Sequence, residues 1–121
     1  MEEILEQAAR LGRSLRDHES FRVLRAAEQA VLDAPESRNL ADALGRVQGE
    51  RREAAEAGRP PDPALDGRIE KLAAASAADP LLRDLWRAQQ EFQALVNRVS
   101  ATMLAELAPP ASPPTAPRAP A

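Results

Sequence analysis

The sequence predicts an all-α fold: an elongated bundle of about five helices, closed by a long C-terminal helix and inclined to self-associate. Three observations carry this. Apolar residues recur at three- and four-residue spacing along most of the chain, the mark of one side of a helix. Asp, Gly and Pro punctuate these stretches at Asp33-Ala34-Pro35, Gly58–Asp62 and Asp79-Pro80, the residues that start and stop helices. Aromatics make up only 2% of the chain (Phe21, Trp86 and Phe92), and β-branched residues are scarce, so a sheet sandwich would lack its usual core.

The first helix is expected near 3–16, on a stripe of Ile4, Leu5, Ala8, Leu11 and Leu15. The second, near 20–32, carries Phe21, Leu24, Ala27 and Val31, with Asp17 or Ser20 as its cap. It stops before Pro35, which biases Ala34 away from the α region. The third spans about 35–57 and turns charged through Glu50–Glu56, with Gly58 as the residue that ends it. Gly45 and Gly49 sit inside it, each costing about 1 kcal/mol against Ala. They mark either a close helix crossing or an exposed, tolerated pair. Asp62-Pro63 opens a fourth helix near 63–77, and helices three and four should form an antiparallel hairpin with a polar tip.

Asp79-Pro80 opens the fifth helix, near 80–107. Leu81, Leu85, Ala88, Phe92, Leu95, Val99 and Thr102 alternate fours and threes along it, close to a coiled-coil seam. Such a helix runs about 40 Å, against a radius of gyration of about 13 Å for a compact body of this size. A homo-oligomer, most simply a dimer, is therefore expected, with Phe92, Leu95, Val99 and Met103 as the uncovered stripe. Trp86 lies beside the seam, either covering a helix junction or anchoring an interface. Together with Arg51 and Arg52 near the hairpin tip, these residues form the candidate interaction surface. Two segments are expected: a helical domain over 1–108 and a disordered Pro/Ala-rich tail over 109–121.

The chemistry of catalysis is sparse. With no cysteine, disulfides, thiolate metal sites and Cys nucleophiles are excluded. The single histidine, His18, cannot supply a zinc set and has no Glu-x-x-His pattern around it. No phosphate loop or serine-nucleophile elbow is present. Net charge is −3, and the tail contributes only Arg118, so the helical part is more acidic still. That balance opposes direct nucleic-acid binding, for which Arg10, Arg13, Arg22 and Arg25 would be the alternative face. The N-terminus lacks signal-peptide character and no run reaches the about 20 apolar residues of a membrane span. A cytoplasmic protein without membrane insertion is expected.

In this order of elements the chain resembles the YlbF/YmcA (Com_YlbF) family of small bacterial helical regulatory proteins, over about residues 2–107. The resemblance rests on Ile4-Leu5 with Ala8 and Leu11, then Phe21, Leu24 and Ala27-Glu28, then Asp33-Ala34-Pro35-Glu36 before Leu40. Gln48, Gly58-Arg59-Pro60-Pro61-Asp62, Asp79-Pro80, and Ala88-Gln89 through Phe92, Leu95 and Val96-Asn97 complete it. It implies a self-associating helical bundle with no enzyme activity, docking other helical regulatory proteins. The processes implied are competence, sporulation and biofilm formation, in some members through a complex assisting ribonuclease Y in RNA maturation. Certain members carry cysteines that help hold iron–sulfur clusters; this chain has none, and no cofactor is expected.

Overall fold

A computed structural model describes residues 1–109. It contains α1 (Glu2–Arg16), α2 (Glu19–Leu32), α3 (Pro35–Glu56), α4 (Pro63–Ala78) and α5 (Pro80–Leu107), with no strand among the described residues. Each boundary lies within a residue of its sequence expectation. The tail expected from 109 onward lies, apart from Pro109, outside the described residues.

The starts of α4 and α5 follow from Asp-Pro chemistry. Asp62 accepts from the Ala64 amide at 3.0 Å, and Asp79 accepts from the Leu81 and Leu82 amides at 2.9 and 3.0 Å. In both helices Pro occupies the first turn, where its missing N–H costs nothing. The end of α3 is a Schellman turn: Gly58 takes φ +73°, its N–H reaches the Ala55 carbonyl, and the Arg59 N–H reaches that of Ala54. The start of α2 departs from expectation. Neither Asp17 nor Ser20 caps it; His18 does, its Nδ1 accepting from the Ser20 amide at 3.0 Å.

Two helix pairs make the body. α3 and α4 form the expected antiparallel hairpin around Val47, Leu65 and Ile69, with Leu44 and Leu72 packed alongside. α2 packs chiefly on α5. Phe21 in the first turn of α2 meets Phe92 midway along α5, centroids 5.2 Å apart, and the guanidinium of Arg25 sits 5.9 Å from the Phe21 ring centre. Just after α2 ends, the Ser37 hydroxyl donates to the Asp79 carboxylate at 2.7 Å, beside the start of α5. The two helices therefore run antiparallel, and α5 continues past the beginning of α2.

The core is thin. Its buried apolar side chains are Leu24, Val31, Val47, Leu65, Ile69 and Ala88, and none is fully enclosed. Ser37, 4% exposed, is the buried polar residue, kept satisfied by Asp79. α1 stands apart: it approaches α2 and brings no Cα within 8 Å of α3, α4 or α5.

Candidate interaction surface

The seam expected on α5 divides into a covered and an uncovered part. Phe92, Leu95 and Val99 are half-buried, and α2 supplies Phe21 against Phe92. From Ala101 onward every described residue of α5 is exposed, and Met103, Leu104 and Leu107 present apolar side chains to solvent. Of the four seam residues proposed for an interface, Met103 alone stands clear of its own chain.

Trp86 is 62% exposed. It forms part of the wall of an open groove of about 1030 Å³ between α3, α4 and α5. α3 contributes Ala41, Leu44 and Gly45; α4 contributes Ala73, Ser76 and Ala77; α5 contributes Leu82, Leu85 and Trp86. The groove exists because α5 closes on α2 and leaves the hairpin with only a partial hold on its other side. Its small side chains keep it wide. A Cβ added at Gly45 would meet nothing within 4 Å, and one at half-buried Gly49 only the Arg52 guanidinium at 3.9 Å, so the pair marks no tight helix crossing within this chain. The buried Ser76 hydroxyl has no hydrogen-bond partner among the described residues. Gln48, Gln89 and Gln90 add neutral polar groups, and Arg83, Arg87 and Glu91 add charged ones. An apolar channel with a few polar groups and an exposed Trp suits the apolar face of an amphipathic helix.

The hairpin tip is less free than its sequence suggests. Arg51 reaches Asp66 at 3.4 Å and ties α3 to α4, whereas Arg52 is exposed. The arginines of the first two helices are also partly engaged: Arg16 lies 3.8 Å from Asp17, and Arg25 lies 3.6 Å from Glu28 while covering Phe21. Such exposed pairs add little stability. Yet they place carboxylates among the cations, opposite to the continuous basic face that a phosphate backbone attracts. Asp84 and Arg87 of α5 likewise lie 3.8 Å apart.

Asp79 links the start of α5 to the start of α3 through Ser37. Its carboxyl is held below its ordinary 3.8, first by the Ser37 hydroxyl, then by the Leu82 amide, with the Leu81 amide and the Arg83 charge adding and desolvation opposing. The sequence marks Asp79 as a cap, but its bond to a serine 42 residues away requires the fold. No helix among the described residues is long and apolar enough to cross a membrane.

Fold and surface together define a small all-helical protein with an open groove between α3, α4 and α5. The chain matches, over residues 4–108, the family described as "Control of competence regulator ComK, YlbF/YmcA", and it belongs to that family. No curated protein matches it. A regulatory role is thereby supported.

Proposed function

We propose that this protein is a non-catalytic cytoplasmic regulator that works by receiving an apolar helix of another regulatory protein in the groove between α3, α4 and α5. The observation that carries this reading is Trp86, held 62% exposed beside a channel of small side chains. An exposed Trp at the edge of an apolar groove is the kind of residue that anchors interfaces. The process regulated, on the family's description, is competence. Sporulation, biofilm formation and a ribonuclease Y-associated complex are the further settings that the YlbF/YmcA resemblance suggests.

The test fills the groove without disturbing the fold. Gly45→Met places a side chain where the structure leaves room and improves helix propensity by about 1 kcal/mol. In the native cell, deletion of the gene should change expression of competence genes; the wild-type chain should restore it, and Gly45→Met, expressed at equal level, should not. Full restoration by Gly45→Met would remove the groove from the mechanism.

A further inference from the structure

We infer that the helix received in the groove is acidic along one edge, with two carboxylates one turn apart that meet Arg83 and Arg87. The inference rests on the docking reading above and adds the chemistry of the occupant. The walls of the groove are electrically unlike. Every residue that α3 and α4 contribute, Gln48 and Ser76 included, is uncharged. The charges all stand on α5, where Arg83, Arg87 and Glu91 form a row stepping by four residues. Arg87 and Glu91 also border the cleft between α5 and α2, so this row is the outer rim of the groove. Two cations against one anion leave the rim positive on a chain whose net charge is −3. The rim thus runs against the balance of the molecule and draws an anionic partner.

Neither cation is fully committed within the chain. Arg87 lies 3.8 Å from Asp84 in a pair 69% and 63% exposed, a weak contact that an incoming carboxylate can replace. Arg83 is exposed, and the acid near it, Asp79, already accepts from Ser37, Leu81 and Leu82. The α5 wall extends from Leu82 to Ala94, about 18 Å, which takes about three turns of helix. In such a helix carboxylates at i and i+4 have the same spacing as Arg83 and Arg87, so both pairs form together. Each guanidinium also offers the paired N–H donors that hold a carboxylate. A nucleic-acid strand would bring anions too. But Glu91 interrupts the row, and Trp86 offers a single ring where strand binding uses successive ones.

Trp86 is the chain's single tryptophan, so its emission reports on the groove directly. The probes are two covalently stapled helical peptides without tryptophan. They share a leucine and alanine face and differ in one flank, which carries glutamates four apart in one and lysines in the other. Titrated into the full-length protein, the glutamate peptide should shift Trp86 emission to the blue. It should bind about tenfold tighter than the lysine peptide, by gaining two exposed ion pairs in place of two repulsions. The difference should shrink in 1 M salt, where the screening length falls to about 3 Å. Arg83→Glu/Arg87→Glu should reverse the preference and Arg83→Lys/Arg87→Lys should retain it, both with helicity unchanged by circular dichroism. Gly45→Met should weaken both peptides alike. Equal binding of the two peptides, lost together in Gly45→Met, would overturn the acidic edge and leave the docking reading standing. Failure of the glutamate peptide to shift Trp86 would also overturn the inference, and the docking reading is then decided by the Gly45→Met complementation alone. A uridine oligonucleotide that binds tighter than the glutamate peptide would overturn it in favour of a nucleic-acid strand.

Discussion

The two helix pairs of the body solve the same packing problem with opposite materials. The α3/α4 hairpin is local in sequence, joined by a turn of a few residues, and fills its interface with large aliphatic side chains: Val47, Leu65 and Ile69 at 6–8% exposure. The α2/α5 pair is distant in sequence and interposes alanines. Ala88, 3% exposed, is the most buried apolar residue, and Ala26, Ala27 and Ala30 face the same cleft from α2. One interface is held by aliphatic volume; the other joins close approach at Ala88 to the Phe21–Phe92 ring contact. The difference predicts opposite sensitivities, since filled interfaces suffer from truncation and close ones from enlargement.

The largest effect should come from emptying the hairpin. Ile69→Ala leaves a cavity among Val47, Leu65, Leu44 and Leu72, and should cost about 2–5 kcal/mol in urea unfolding. For a core this small that is a large share of stability. The reverse change tests the other pair: Ala88→Leu should cost about 1–3 kcal/mol by forcing α2 from α5. Should Ala88→Leu stabilise the chain instead, the shallow cleft beside it has absorbed the side chain, and the contrast between the pairs fails.

The helices themselves were legible in the sequence because their boundaries are written in single residues. Asp62, Asp79, Gly58 and the prolines after them act within three or four positions of themselves, and the structure places them as expected. His18 was not legible as a cap, since an imidazole Nδ1 is an uncommon substitute for the oxygen of Asp or Ser. What lies across α5 was not legible either. Periodicity marks a seam but not what covers it, so Phe92, Leu95 and Val99 read as a free stripe although all three are half-buried and Phe92 meets Phe21 of α2. The groove was not legible for a related reason: Ala41, Ala73 and Ser76 carry no pattern along the chain and acquire meaning only when three helices meet.

Between the two pairs sits the Ser37–Asp79 hydrogen bond, and its acid dependence sharpens the comparison. The Asp79 carboxyl titrates below its ordinary 3.8 in the folded chain, chiefly because Ser37 donates to its ionised form. On acidification the unfolded carboxyl takes up its proton first, so acid favours unfolding. The stabilisation is fully present above about pH 4 and is lost as pH falls through the lower folded value. Ser37→Ala should raise the folded value toward the ordinary one and shrink this acid-sensitive contribution. Urea midpoints compared at pH 6 and pH 3 should therefore differ less for Ser37→Ala than for the wild type. An unchanged difference would mean that Asp79 does not report on the junction of the pairs.

The smallest expected effect on stability is at Trp86, and its smallness is informative. The side chain borders both regions, rooted in α5 and facing the hairpin across the groove, yet it is 62% exposed. Were it a brace holding the pairs together, Trp86→Ala would cost the 3–5 kcal/mol typical of a buried Trp. Exposed to this degree, it should cost no more than about 0.5 kcal/mol, the range of ordinary surface changes. Urea unfolding of Trp86→Ala measured by circular dichroism decides between brace and docking residue. If the midpoint holds while the variant fails to restore competence-gene expression, the ring serves a partner and not the fold. If the midpoint drops by several kcal/mol, the groove is a seam of the bundle, and the two pairs depend on each other more than their separate cores suggest.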